Sequence, residues 1–582
     1  MRGPVDRDAV ERMAETMVDR GPDGAGAWFD GRIALGHRRL KVIDLSSAGD
    51  QPMVDAELGS TIVFNGCIYN HRELRAELER EGYRFASTSD TEVILKAHDA
   101  WGHRCVDRFA GMFAYALYEH ASGRLFLVRD RLGIKPLYLS DVDDGLRFAS
   151  TLPALLAGGG VDTELDPVAL HHYLTWHAAV PAPRTILRGV RKLPPATVTI
   201  VAPDGRRTSE NYWRADYSRH WSCSGWEPAD WVDAVLEALR TAVERRMVAD
   251  VPVGVLLSGG LDSSLIVGLL AEAGQRGLAT FSIGFDGIGE HEGDEFEFSD
   301  LIAKQFETDH HQIHVPEHRL LDSLDGAIGA MSEPLVSHDA VAFYLLAQEV
   351  ARSHKVVQSG QGADEVFAGY FWYPPLLDAN ENGADAYQAA FFDRPHDEIA
   401  EVLQSRYLLE EDPSRAFLDW HFRQPGAEEP IDRALRLDTE VMLVEHPVMR
   451  LDNMTMASGL EARTPFLDHE LVELAAACPP ELKLADGGKG ILKAASRGIV
   501  PDAVIDRPKA YFPVPAFYKL EGATLELVRE TFTESAVRDR GLFRPEHVER
   551  LLAAPNEHLT TLEGSKLWHI ALLELWLTRH GI

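Results

Sequence analysis

The chain has 582 residues, 45% hydrophobic, 26% charged and 9% aromatic, which fits an ordinary globular protein and excludes disordered, collagen-like and low-complexity architectures. Fifty-eight basic and 91 acidic side chains give a net charge of −33, which argues against binding nucleic acid or docking on anionic lipid. Residues 1–205 carry 24 basic and 28 acidic groups and the remainder 34 and 63, so two units with different surfaces are expected.

No apolar run reaches the roughly 18 residues of a membrane-spanning helix, and Met1–Val10 is polar, without the apolar core of a signal peptide. The cysteines (Cys67, Cys105, Cys223 and Cys478) are far apart and form no CxxC pair. A disulfide framework or zinc site is not expected, and a reducing cytoplasm is.

In chain order, Arg32–Leu35, Thr61–Phe64, Met112–Tyr118 and Leu125–Arg129 read as strands, rich in β-branched, aromatic and aliphatic residues and bounded by turn formers. His71–Glu81 and Thr91–Trp101 have helical apolar spacing. This is an α+β pattern with antiparallel sheet. Leu193–Thr199 and Asn211–Trp213 close it, and residues 211–229 read as a linker between units at 1–210 and 230–582. From Trp231 the pattern changes. A helix over Trp231–Arg246 precedes the apolar strand Val251–Leu257, the helix Leu265–Ala273, and strands Thr280–Phe285 and Lys355–Gln358. Apolar strands alternating with helices indicate a parallel sheet covered on both faces. Beyond about residue 390 the pattern is mostly helical. Asp286–Asp300, with seven acidic residues and no Lys or Arg, reads as a solvated loop.

Between the strand ending at Leu257 and the next helix lies Ser258-Gly259-Gly260-Leu261-Asp262-Ser263-Ser264. Glycines allow a tight turn and close approach to a ligand. The helix start supplies free N–H groups and a positive dipole end for an anion, Ser258, Ser263 and Ser264 supply hydroxyls, and Asp262 can hold a Mg²⁺ that bridges phosphates. The Walker pattern that transfers a γ-phosphoryl group is absent.

This run resembles the pyrophosphate loop of the N-type ATP pyrophosphatases, and more of the chain resembles their asparagine synthetase branch. Ser359-Gly360-Gln361-Gly362-Ala363-Asp364-Glu365 is similar to that family's second loop, Leu460–Asp468 to its E-x-R-x-P-F-L-D segment, and Lys489, Lys493 and Arg507-Pro508-Lys509 to its basic segment. The resemblance implies a C-terminal α/β domain that cleaves ATP between the α- and β-phosphates and adenylates a carboxylate. Leu256, Ser258, Gly259, Gly260, Ser263, Ser264, Ile283, Ser359 and Gly360 would bind ATP. Asp262 and Asp364 would hold Mg²⁺, and Lys489 would face the phosphates. Gln361 stands where the family usually has a glutamate that handles protons; an amide has no basic site near neutral pH, so another group or water must act.

Arg20-Gly21-Pro22-Asp23, His37-Arg38-Arg39-Leu40, Asn65-Gly66, Ser89-Asp90-Thr91-Glu92 and Arg129–Gly133 resemble the class II glutamine amidotransferase domain, an N-terminal-nucleophile hydrolase of four-layer αββα form. By that resemblance Arg39 would bind the glutamine α-carboxylate as a fork, Asp90 its α-ammonium, and Asn65 with Gly66 N–H would form the oxyanion hole. Cys67, beside that hole, would contact glutamine or be a small buried residue. In that family the chain begins with a processed cysteine well upstream of the Arg-Gly-Pro-Asp run. Here 19 residues precede Arg20, and residue 2 is Arg2. As written, the chain is not expected to hydrolyse glutamine. A late-called start or truncation is favoured over real loss of the nucleophile, because the rest of the pocket is intact.

Gln361, the Asn65-Gly66-Cys67 triplet and the aromatic run Phe367–Pro375 are more similar to the N-acetylglutaminylglutamine amide synthase branch than to asparagine synthetase proper. The expected substrates are ATP, glutamine or ammonia, and a carboxylate acceptor, with a homodimer as a compatible assembly. The alternatives are asparagine synthetase itself, a cyclising relative such as a β-lactam synthetase, and a non-catalytic binding protein derived from this fold.

Overall fold

The computed structural model describes residues 5–582 apart from 144, 219–222, 224, 286–295, 337–338, 378, 380–382 and 508–518. Alternation along the strand Gly111–Glu119 sets the layering of the N-terminal unit. Phe113, Tyr115 and Leu117 face the helices His71–Arg80 and Asp90–Trp101 through Leu74, Leu78, Val93 and Ile94. Ala114, Ala116 and Tyr118 face Ile33, Leu35 and Leu137 on the other side. The strand lies in a six-stranded antiparallel sheet in the order Arg207–Asn211, Thr197–Val201, Leu125–Arg129, Gly111–Glu119, Ser60–Ile68, Met53–Asp55. A hairpin (Gly24–Asp30 with Ile33–Arg39) and a three-stranded sheet (Gly145–Ala149, Tyr138–Val142, Val190–Lys192) form the second β layer. Helices Arg7–Glu15 and Leu152–Gly158 pack against each other outside it. The αββα expectation is met.

In the C-terminal unit Val253–Leu256 pairs in parallel with both Ala279–Phe285 and Val356–Gln358. The five-stranded order is Asp309–Val315, Ala279–Phe285, Val253–Leu256, Val356–Gln358, Glu461–Arg463. The chain leaves Val253–Leu256 toward one edge and returns on its other side. The loops after Val253–Leu256 and Val356–Gln358 therefore meet at a topological switch point, where open α/β sheets bind ligands. The helix Pro228–Arg245 starts earlier than its apolar spacing predicts, because Pro228 takes the first helical position and Glu227 and Asp230 cap the end reciprocally. Of the expected linker, Ala215 and Tyr217 are buried, and Tyr217 N donates to Gly426 O at 2.8 Å, so this part is pinned to the helical region. Most of the acidic stretch Asp286–Asp300, and Lys509, lie outside the described residues; Phe296–Phe306 is helical.

The two units share buried charge. Asp452 accepts from Arg20 at 2.9 Å and Lys135 at 3.0 Å. Burial alone would push its carboxyl up, but these two cations hold it below the usual range. The helix Pro167–Thr175 precedes residue 210 in sequence yet packs on the C-terminal helices, with Tyr173 OH donating to His569 O at 3.1 Å and Arg394 Nη1 to Leu174 O at 3.2 Å.

Candidate active site

At the switch point, Gly259 has φ +74°, and a Cβ there would lie 2.7 Å from Ser299 N. Only glycine can make this turn while Phe296–Phe306 packs behind it. Ser263 Oγ accepts from Ser258 N at 3.2 Å, closing the loop over the first turn of the helix Leu261–Glu272. The second loop presses against the first: a Cβ on Gly360 would lie 2.9 Å from Asp262 Cβ. That contact carries Asp364, at the start of the short helix Ala363–Val366, toward Asp262.

Lys489 joins them. Its ammonium lies 2.7 Å from Asp262 Oδ2 and 2.8 Å from Asp364 Oδ1. Burial would disfavour the charge, but the two carboxylates raise the ammonium's pKa and keep it protonated. Lys489 has φ +57°, a left-handed conformation costly for a side-chain-bearing residue. Gly369 makes room for the cluster, since a Cβ there would sit 2.1 Å from Asp364 Oδ1 and 2.4 Å from Lys489 Cε.

These groups line a cavity of about 1060 Å³, together with Leu256, Ser258, Gly260, Ser263, Ile283, Ser359, Gly360 and Gln361. Gly259 and Ser264 stand back from it. Gly259 shapes the turn, and Ser264 is wholly buried with its Oγ turned into the interior, so its expected role as a hydroxyl donor to the anion is corrected. Lys493 and Arg507 also line the cavity. Lys493 donates to Asp486 O at 2.5 Å, and burial and nearby Lys489 lower its pKa. Arg507 stacks on Phe298 at 4.4 Å. Two converging carboxylates that already hold a cation fit the oxygen-donor set of a hard divalent ion.

The sequence reading missed two groups. Arg450, on the helix Met449–Met456, donates to Asp339 Oδ1 at 2.9 Å and to Gln361 Oε1 at 3.2 Å, which fixes the amide oxygen of Gln361. No spacing signal links positions so far apart. Glu365 is buried and accepts from Tyr370 OH at 2.7 Å. Burial, with the charge of Asp364 adding to it, pushes its carboxyl up to about 7. Its place beside Asp364 was the available signal. The aromatic run divides. Tyr370, Phe371 and Trp372 line the cavity, whereas Tyr373 is wholly buried and donates to Asp438 Oδ2 at 2.5 Å.

A second cavity, of about 540 Å³, lies in the N-terminal unit and is lined by Arg39, Asn65, Gly66, Cys67 and Asp90. Asn65 and Gly66 are mid-strand and not a hairpin turn; Gly66 has φ +143°, and a Cβ there would meet Met112 O at 2.0 Å. Asn65 Nδ2 is buried with no hydrogen-bond partner among the described residues, as suits a donor kept for a ligand. Asp90 accepts from Ile68 N at 3.0 Å, and burial raises its carboxyl pKa. Arg39 departs from expectation. Its guanidinium donates to Ser46 O at 2.8 Å, Asp50 Oδ1 at 2.6 Å, Ile43 O at 3.2 Å and Asp44 O, so the fork ties its own loop and is not presented free to the cavity. Cys67 is buried, and burial pushes its thiol far up, which makes it a packing residue and a poor nucleophile. The strand Glu461–Arg463 stands between the cavities: Glu461 lines the second, and Arg463 O accepts from Ser359 N at 2.8 Å beside the first.

The comparisons agree with this two-part geometry. A family model described as asparagine synthase matches residues 234–578, and one described as a glutamine amidotransferase domain matches residues 2–213. A Bacillus subtilis (strain 168) protein named asparagine synthetase (glutamine-hydrolyzing) 1 is 30% identical over 98% of this chain and 93% of its own length. A putative asparagine synthetase (glutamine-hydrolyzing) of Mycobacterium tuberculosis (strain H37Rv) is 31% identical over 99% and 94%, and amidase chyE of Penicillium rubens is 28% identical over 92% and 88%. With both cavities and both domains in place, the chain belongs to the asparagine synthetase family of carbon–nitrogen ligases.

Proposed function

We propose that the chain adenylates a carboxylic acid with ATP, releasing pyrophosphate, and converts the acyl-adenylate to an amide with ammonia, releasing AMP. The observation that carries this reading is the convergence of Asp262, Asp364 and Lys489 at the mouth of the Ser258–Ser264 loop. The loop N–H groups would bind pyrophosphate, and Lys489 would turn from the carboxylates to the phosphates as charge develops there. Asp262 and Asp364 would hold Mg²⁺, which supplies charge neutralisation on the phosphates. Ammonia nitrogen would bond to the acyl carbon as the carbon–oxygen bond to AMP breaks, and the released proton would pass to Glu365, whose carboxyl titrates near neutrality. Gln361, held by Arg450, would orient the acceptor and take no proton. The second cavity would bind glutamine, as the names of the relatives suggest for them, with Asn65 and Gly66 as oxyanion donors and Asp90 holding the α-ammonium; its hydrolysis needs a nucleophile that Cys67 does not supply, so the chain as written would take free ammonia. The domain boundary falls in residues 211–229 on this reading.

For the acceptor we infer the C-terminal carboxylate of N-acetylglutaminylglutamine. Gln361 in place of glutamate and the aromatic side chains Tyr370, Phe371 and Trp372 on the cavity lining support an acceptor larger than aspartate. The test is ATP–pyrophosphate exchange with each acid in turn. The dipeptide is expected to support exchange with aspartate inert, and the reverse result would favour asparagine synthetase.

A further inference from the structure

Where the helix Pro167–Thr175 meets the C-terminal helices, three metal-ligating side chains converge outside both cavities: His171, His396 and Asp412. His171 sits mid-helix, His396 opens the helix His396–Val402, and Asp412 is the N-cap of the helix Pro413–Phe422. His171 Nε2 lies 2.9 Å from His396 Nδ1 and 3.7 Å from Asp412 Oδ1, and one ligand atom from each of the three residues falls within 4.8 Å of the others. Two donors on a tetrahedral ion with bonds of about 2.0–2.1 Å stand about 3.3 Å apart, between those first two distances. A ring-to-ring hydrogen bond accounts for the 2.9 Å approach alone, since the carboxylate is beyond hydrogen-bond reach of the same nitrogen.

The neighbours of each group hold it in a metal-binding form. His171 is buried, and burial lowers its pKa, so the ring is neutral at neutral pH. Its Nδ1 is 2.8 Å from Ser414 Oγ, and the same hydroxyl is 3.0 Å from His172 Nδ1. A hydroxyl has one proton, so it can accept from one ring while it donates to the other. With His171 Nδ1–H as the donor, the Nε2 lone pair faces His396 and Asp412, and Ser414 supplies the outer oxygen that orients a metal-bound imidazole. Asp412 Oδ1 accepts from Ser414 N at 3.0 Å and Arg415 N at 2.9 Å, so the carboxylate is fixed by the helix it caps. His396 and Asp412 are part-exposed, which gives a cation a way in.

We propose that His171 Nε2, His396 Nδ1 and a carboxylate oxygen of Asp412 form a zinc site, with water completing the tetrahedron on the exposed side. His396 then carries its ring proton on Nε2. Two imidazoles and one carboxylate suit Zn²⁺ and not Mg²⁺, which takes oxygen ligands. The cysteine spacing predicted no zinc site, and this one uses no cysteine. The ion would tie a helix that precedes residue 210 to two helices of the C-terminal unit. Neither cavity borders it, so the site is separate from the Mg²⁺ position proposed at Asp262 and Asp364.

The test is Zn²⁺ binding by the full chain, stripped with EDTA and desalted, in competition with a chromophoric chelator. One tightly held Zn²⁺ per chain is expected at micromolar or lower Kd, undisturbed by millimolar Mg²⁺, together with a rise in Tm on adding Zn²⁺. H396Q and D412N are expected to weaken binding about tenfold or more, the scale on which even an outer partner of a ligand matters, and to lose the zinc-dependent rise in Tm. Asparagine caps a helix as aspartate does, and His396 is part-exposed, so both variants keep the fold, which a melt in EDTA checks. Co²⁺ loaded into the native chain gives a second reading that needs no variant: the strong visible absorption of a tetrahedral ion is expected. No Zn²⁺ held at micromolar concentration, equal affinity in the native chain and both variants, or the weak spectrum of octahedral Co²⁺ overturns the proposal. ATP–pyrophosphate exchange is expected to be the same in the native chain and both variants, so failure of the zinc site leaves the amide-synthase reading standing.

Discussion

Lys489 Nζ stands 2.7 Å from Asp262 Oδ2, placing the terminal charge of the Gly490–Ser496 helix start on the first residues of Leu261–Glu272. In sequence the two are 227 positions apart. On the proposed reading the pair would position a cation where pyrophosphate leaves. D262N is expected to lower ATP–pyrophosphate exchange by about 10²-fold or more, the scale of removing one preorganised electrostatic group. Exchange at the unaltered rate would remove Asp262 from the proposed mechanism.

Gly369 sets how closely Asp364 and Lys489 approach. G369A would place a methyl 2.1 Å from Asp364 Oδ1. The variant is expected to lose about 1–3 kcal/mol of stability, as overpacking does, and to raise KM for ATP. A denaturant melt with a parallel exchange assay reads both, and unchanged values would show that the cluster is looser than its geometry.

As the proposed proton acceptor, Glu365, pushed up to about 7, would give the amide-forming step a pH dependence. A base must be ionised, so the rate at a fixed concentration of free NH₃ is expected to fall as pH drops below about 7 and to level off above it. E365Q should flatten that limb and lower the rate, while exchange, which precedes proton removal, changes little. Stability runs the other way. A raised carboxyl pKa favours the folded state when protonated, so this contribution is present at pH below the unfolded value and declines as pH rises through about 7. A rate profile for E365Q with the same acid limb as the native chain would exclude Glu365 as the base.

Asp452 binds the two units through Arg20 and Lys135. Its lowered pKa means that its contribution is present above the unfolded carboxylate value and lost as pH falls through the folded one. D452N leaves the buried Lys135 and the half-buried Arg20 without their counter-charge and is expected to cost about 3 kcal/mol, the lower end of breaking a buried pair. Calorimetry would show whether the units then melt separately; an unshifted single transition would show that the triad is not what joins them.

Much of the framework was legible because local patterns and tertiary demands agree. Leu125–Arg129 is a strand with the bounds its composition predicts, and the apolar run before Ser258 is the central parallel strand. The edge strands Asp309–Val315 and Glu461–Arg463 were not. The first is polar because an edge is half solvated, and its pairing with Ala279–Phe285 is what extends it. Glu461–Arg463 is three residues long, too short for any period to show.

The sequence alone determined the two loops, the Asp, Ser and Gly types in them, and the order of two domains, since each is a short-range pattern of turn formers and apolar runs. The tertiary structure decided the rest. It placed Lys489 between two carboxylates, turned the Arg39 fork onto its own loop, and buried Ser264 and Cys67. It also brought His177, Asp393, His446 and His569 together on the cavity lining. These outcomes depend on which long-range neighbours satisfy each buried polar group, and no one-dimensional spacing encodes that choice.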